Sequence, residues 1–452
     1  MTDRVFRSQR VLLAGGLAPA AVHVQGGRIV DVTAWDIVGE TRQLQDVGNL
    51  LLTPGLVDSH VHINEPGRTE WEGFRSATEA AAAGGITTVV DMPLNCIPAT
   101  TDRAAAETKH ASMRDQLHVN VAFWGGVVPG NTSDLEGLAR FGVPGAKCFL
   151  CPSGVDEFPH VGRADLDKAM PVLRDLGLTL LVHAEAPGPL ESAEIALAGA
   201  DPRKYATYLR SRPNAAEDEA IALVIELARK HRAPAHIVHL SSGTAVPMLA
   251  QAQAEGVPIT AETCLHYLAF AAEDIPDGQT HFKCAPPIRE AANQALLWQG
   301  LDAGTISQVV SDHSPCTPQL KHLETGDFMG AWGGIAGLQL GLSVLWTLAS
   351  ARGCDVATML NWNAQAPARL AGLADRKGRI AKGFDADLAV WDDRAGFTVA
   401  AADIRHKHKL TPYAGRTLRG VVEQTWVGGQ LAFDRKTGLA SRPVGSFVRV
   451  ER

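Results

Sequence analysis

The 452-residue sequence predicts an α/β protein: a (β/α)8 TIM barrel over residues 54–372, joined to a small β-sandwich built from residues 1–53 and 373–452. Three observations carry that prediction. Through the middle of the chain, apolar β-branched runs alternate with Ala/Leu/Glu-rich stretches, the pattern of repeated βα units around a parallel sheet. Both ends show short apolar runs broken by tight-turn signals instead. Several central runs also close on a polar residue, although strands buried on both faces should read as continuous apolar runs. Barrel active sites lie at the carboxyl ends of the strands, so those polar residues read as functional.

The elements follow in order. From Val11 to Leu52 the signals Gly15-Gly16, Gly26-Gly27-Arg28 and Asp46-Val47-Gly48 divide a few antiparallel strands. Eight barrel strands are expected at Leu56-Val57-Asp58, Ile86 to Val90, His118 to Phe123, Ala146 to Phe149, Leu178 to His183, Ala235 to His239, Ile259 to Glu262 and Ile306 to Val310. The apolar run from Gly333 to Ala351 is interrupted by Gln339, Ser343 and Thr347 and reads as a buried barrel helix, not a membrane span. Ala386 to Trp391, Gly420 to Val427 and the turn Gly428-Gly429 return to short strands.

Composition narrows the function. With 46% hydrophobic and 20% charged residues the chain has the profile of a folded protein. Its net charge, 42 − 49 = −7, is spread without long like-charge runs, which argues against nucleic acid and for a small-molecule substrate. Seven scattered cysteines, and a start from Met1 to Arg10 that is polar and lacks an apolar core, point to the reducing cytoplasm. Cys148 and Cys151 are spaced like a redox pair, but with no second pair they read as small packing side chains.

The chemistry collects at strand ends. His60 and His62 directly follow the first barrel strand, and period-2 geometry points both imidazoles the same way. Such a pair alone is weak, since His406 and His408 form another. His183, His239 and Asp312 then close three further strands with ligands of borderline and hard character. Each has a bland reading, a backbone-bonded core histidine or a helix cap, but all must hold at once. His236 lies three before His239 and by strand parity faces the other way, as a structural residue. Lys147 sits inside the fourth strand, where an unpaired ammonium is costly to bury. A desolvated lysine beside cations becomes a nucleophilic amine able to capture CO2 as a carbamate that bridges two metals. A buried ion pair is the alternative.

In this order, His-x-His, Lys, His, His, Asp, the chain resembles the cyclic amidohydrolases, which include dihydroorotases, hydantoinases (dihydropyrimidinases) and allantoinases. The resemblance spans nearly the whole length. It implies two divalent metal ions, Zn2+ foremost with Co2+, Mn2+ or Fe2+ as alternatives. One would be held by His60, His62 and Asp312, the other by His183 and His239, with N6-carboxylated Lys147 as the bridge. It also implies a homotetramer.

Within that family, Asn64 stands where dihydroorotases place a carboxylate-binding arginine. The segments Glu65-Pro66-Gly67-Arg68-Thr69-Glu70-Trp71-Glu72-Gly73, Ser153 to Pro159 and Ala331 to Gly337 look like those of allantoinases. Hydantoinases carry a tyrosine shortly after the lysine, and none occurs here between Lys147 and Tyr205. The implied reaction is hydrolytic opening of allantoin to allantoate, with Asp312 as proton carrier and Asn64 and Ser314 as candidate substrate contacts. A hydantoinase acting on another cyclic imide or ureide, and a non-catalytic scaffold, are the competing readings.

Overall fold

The computed structural model describes residues 2–451. The two ends of the chain meet in one nine-stranded sheet. Arg4–Leu13 pairs antiparallel with Gly16–Gln25, which pairs with Arg28–Ala34. A register shift between Ser8 and Val11 lets the first half of Arg4–Leu13 pair with Leu44–Asp46 and the second half with Leu51–Pro54. Leu51–Pro54 then pairs antiparallel with Leu388–Thr398, joining the N-terminal strands to Thr417–Val427 and Gln430–Asp434. Phe6 and Trp426 lie three strands apart in that order, yet their rings meet edge-on at 4.9 Å. A flat sheet would hold them roughly 14 Å apart at ~4.8 Å per strand, so the sheet folds over a core that includes Val22, Ile29, Leu52 and Leu388.

The barrel strands are Leu56–Val61, Ile86–Asp91, Asn120–Phe123, Gly145–Phe149, Thr179–His183, Ala235–Ile237, Ile259–Cys264 and Gln308–Val310. All pair parallel with their neighbours. The third strand bends at Trp124 and continues as Gly125–Gly126, which pairs with the fourth. A Cβ at Gly126 would stand 2.5 Å from Phe158, so the bend needs a residue without one. Closure comes where Val61 bridges His313 and the His62 amide donates to the His313 carbonyl at 2.7 Å. Asp58 reinforces the seam by accepting from the amides of His60 (3.1 Å) and Ser311 (3.2 Å).

Two details differ from expectation. The sixth strand stops at Ile237, and His239 beyond it takes a left-handed backbone (φ 40°), so parity does not relate it to His236. The C-terminal segment does not stay with the terminal sheet either: Val121 donates to Ser446 (3.0 Å), and Val448 donates back to Val121 (2.8 Å). Phe447 thereby closes a ring cluster with Phe123 and Phe141 on the barrel wall. The apolar run near residue 340 forms the helix Gly341–Ala351, which buries Leu342, Leu345 and Trp346. Among the described residues no helix is long and apolar enough to cross a membrane.

Candidate metal centre

The six side chains singled out in the sequence converge at one end of the barrel, all buried. His60 Nε2 lies 3.2 Å from Asp312 Oδ1 and 3.3 Å from Lys147 Nζ, and His62 Nε2 lies 3.6 Å from the same Asp312 oxygen. His183 Nδ1 faces His239 Nε2 at 3.0 Å, and the His60 and His239 ring centroids are 5.3 Å apart. Phe149 stacks on His183 at 4.3 Å and lies beneath the Lys147 ammonium. Asp312, like His239, adopts positive φ (42°), a conformation non-glycine residues hold only where the surroundings impose it.

Carboxylates behind the ligands set the tautomers. Glu262 Oε1 accepts from His60 Nδ1 at 2.5 Å, and its other oxygen accepts from His236 Nε2 (3.1 Å) and Gln308 (2.8 Å). Glu185 accepts from His183 Nε2 at 2.7 Å while the Arg212 guanidinium grips it through Nε (2.9 Å) and one terminal nitrogen (2.5 Å). An imidazole that donates through one nitrogen keeps a lone pair on the other. His60 Nε2 and His183 Nδ1 therefore present lone pairs to the centre. Burial pushes His60 down to about 4 and His62 and His239 well below their ordinary value, so these rings stay neutral at pH 7. Burial likewise pushes the Lys147 ammonium down. His239 Nδ1 is buried without a hydrogen-bond partner. Converging neutral imidazoles, one carboxylate and a lysine whose charge burial disfavours form a donor set that fits divalent cations.

A cavity of about 320 Å3 opens over this cluster, bordered by His62, Lys147, His183, His239, Asp312 and Ser314. Ser314 reaches it while its hydroxyl donates to the Asp312 carbonyl at 2.8 Å. Asn64 does not reach it: the side chain is buried and its amide donates to the Pro315 carbonyl at 3.2 Å, bracing the loop after the eighth strand. A larger hollow of about 800 Å3, bordered by Arg4, Arg28, Asp385 and Asp387, lies by the terminal sheet and holds none of the six. The three loop segments singled out in the sequence interlock at the cavity rim. Arg68 pairs with Glu157 and lies over Trp71, and Trp71 meets Trp332 edge-on at 4.9 Å. The Pro/Gly-rich segment after His183 forms the helix Pro187–Ala196. Burial raises the Cys148 and Cys151 thiols to about 12, so both are inert packing groups.

Sequence reasoning left Glu262, Glu185 and Arg212 unassigned and read His236 only as a structural residue. Glu185 carried a usable signal, since it stands two after His183 as His62 does after His60. His236 carried none, because its partner Glu262 lies 26 positions away.

The sequence profile described as "Amidohydrolase family" matches residues 51–432. An allantoinase from Streptomyces avermitilis is 51% identical over 95% of this chain and 95% of its own length. An allantoinase from Saccharomyces cerevisiae is 43% identical over 99% of each chain. Among solved structures, the L-hydantoinase (dihydropyrimidinase) from Arthrobacter aurescens superposes with a TM-score of 0.94 at 28% identity, covering 99% of this chain and 100% of that one.

Proposed function

This chain belongs to the amidohydrolase family, and from that premise we propose that it opens the hydantoin ring of allantoin by hydrolysing a ring C–N bond, releasing allantoate. The observation that carries this reading is the rim: the three segments that resemble allantoinases, far apart in sequence, meet through Arg68, Glu157, Trp71 and Trp332 above one metal-type cluster.

In this reading His60, His62 and Asp312 would hold one divalent ion and His183 and His239 a second, with Lys147, carboxylated on its side-chain nitrogen, as a further ligand. Zn2+ suits the donors best, and Co2+, Mn2+ or Fe2+ suit the same set. When bound, such a pair supplies a water that ionises near neutral pH and draws electron density from the scissile carbonyl. The remaining work falls to the protein. Asp312 takes the proton of the attacking water and passes it to the departing ring nitrogen, which leaves poorly as an anion. Glu262 and Glu185 keep the ring nitrogens of His60 and His183 turned inward. Ser314 meets the substrate at the cavity wall, and Asn64 acts by holding Pro315 in place. We further read the assembly as a homotetramer and its compartment as the cytoplasm.

The test is allantoate formation from allantoin by the purified protein, with and without a chelator. Chelator-sensitive turnover of allantoin, faster than that of 5-substituted hydantoins or dihydrouracil, is the expected result. Faster opening of dihydrouracil would overturn the assignment.

A further inference from the structure

One cation on the cavity wall has no part in the chemistry above. Lys283 borders the same cavity as His62, His183 and His239 and is only 9% exposed. Its ammonium donates to the carbonyls of Met329 (3.0 Å) and Ala331 (2.5 Å) and lies 5.0 Å from the Tyr208 ring centre. Lys321, fully enclosed, donates to the Trp332 carbonyl at 3.0 Å and also to those of Lys283 and Gly334. Two ammonium groups thus pin the loop that carries Trp332, and among the described residues neither has a carboxylate at ion-pair distance.

An ammonium can donate three hydrogen bonds, and Lys283 spends two on the loop. Burying a cation without a paired anion is costly, so a site that keeps one gains from an acceptor arriving with the ligand. The charged neighbours reinforce this: burial, then Lys321 and Arg212, push Lys283 down to about 7, with Asp327 alone opposing. Arg212 is already committed to Glu185. Allantoin differs from a plain hydantoin by a ureido arm on the ring carbon between its nitrogen and carbonyl. Lys283 and the histidine cluster line one cavity, so a substrate whose ring amide sits at the cluster brings its arm into the same space, and the arm's carbonyl oxygen is an acceptor wanting a donor.

We propose that Lys283 is a specificity-determining residue that donates its remaining N–H to the ureido carbonyl of the substrate, held in position by the Met329 and Ala331 carbonyls. The proposal rests on the allantoin reading above. A hydantoin with an alkyl arm leaves this buried donor unpaired, and sites built to bond a polar group reject analogues that lack it.

The experiment compares kcat/KM of the metal-loaded wild type and Lys283→Met on allantoin and on 5-propylhydantoin, whose arm has similar length but no acceptor. Where 5-propylhydantoin binds without turnover, its inhibition constant against allantoin replaces kcat/KM. Loss of one charge-assisted bond should cut allantoin turnover about 10- to 100-fold, while 5-propylhydantoin changes by less than about threefold. Equal losses on both substrates would show that Lys283 only braces the loop, and an unchanged allantoin value would equally overturn the proposal. A wild type that opens 5-propylhydantoin but not allantoin instead refutes the assigned reaction. A measurement free of any folding defect uses the wild type alone. Titrations of the metal cluster and of Lys321 act on both substrates and cancel in the ratio of their kcat/KM values, so that ratio should fall as pH rises through about 7. A ratio that rises over about pH 6 to about pH 9 contradicts a contact made by the charged form.

Discussion

Glu262 accepts the His60 Nδ1 proton at 2.5 Å, across 202 positions of sequence, and this single contact aims His60 Nε2 at Lys147 and Asp312. Burial alone would raise the Glu262 carboxyl, but His60 and His236 outweigh it and hold the group far below its ordinary range. Glu262→Gln keeps the shape but presents an amide that can turn its N–H toward the ring. Loss of such supporting partners lowers metal affinity by about 10- to 100-fold. Metal retained after competition with a graded chelator series, read by elemental analysis, should drop accordingly with little change in the melting temperature of the metal-free protein. Wild-type retention in Glu262→Gln would remove Glu262 from the metal-holding set.

Lys147 is enclosed by Phe149, His60 and Asp312, with burial pushing its ammonium down. If its amine carries the bridging carboxylate, Lys147→Ala loses metal and turnover together, by at least about 100-fold in kcat/KM, in line with losing an interaction of a few kcal/mol. Short carboxylic acids such as acetate or propionate, added at millimolar concentration with metal, should restore part of both. Restoration of neither would speak for a plain buried ion pair between Lys147 and Asp312.

How much of this was legible beforehand varies with the physics. The barrel strands could be read because a parallel sheet buried on both faces must be apolar, so His183 and Asp312 stand out where the runs end. The sandwich ends were legible through turn chemistry at Gly26-Gly27 and Gly428-Gly429, where the left-handed backbone (φ 57°, 79°, 53° and 70°) demands glycine. His236 was misread because strand parity holds only while the strand lasts, and it ends before His239. The docking of residues 445–448 on the third strand combines backbone hydrogen bonds with the packing of Phe447 on Phe123 and Phe141, and one aromatic in a short terminal segment does not name its partners in sequence. Asn64 was placed by analogy of position, whereas its contact with Pro315 is visible only in three dimensions.

Asp385 pairs with Arg376 and Lys377, both at 2.8 Å, within the segment that leads into the terminal-sheet strand Leu388–Thr398. Burial raises this carboxyl, but Lys377 and then Arg376 outweigh it, leaving it below its ordinary value of 3.8. A depressed carboxyl contributes stability above its unfolded pKa and loses that contribution as pH falls through the folded value. Asp385→Asn should therefore melt lower than wild type at pH 7, by roughly 1–4 °C for about 1–2 kcal/mol lost from a charge-assisted bond. The gap should hold down to about pH 5 and narrow only below about pH 4. Calorimetric melting across that range is the check, and a gap that widens on acidification would contradict the sign.

Asp312 is the one carboxylate among the six, and its Oδ1 faces both His60 (3.2 Å) and His62 (3.6 Å). That leaves the second oxygen for the proton that must travel from attacking water to departing ring nitrogen. Asp312→Asn preserves size and one liganding oxygen but cannot carry a proton at neutral pH. Positioned proton transfer contributes about 10²- to 10⁴-fold, so kcat should fall by that factor while metal content, by elemental analysis, stays near wild type. KM for allantoin should move far less, because the cavity wall that binds the arm is untouched. Loss of metal in step with activity would make Asp312 a ligand only and shift the proton-carrying role elsewhere, and near-normal kcat with full metal would exclude it from the chemistry altogether.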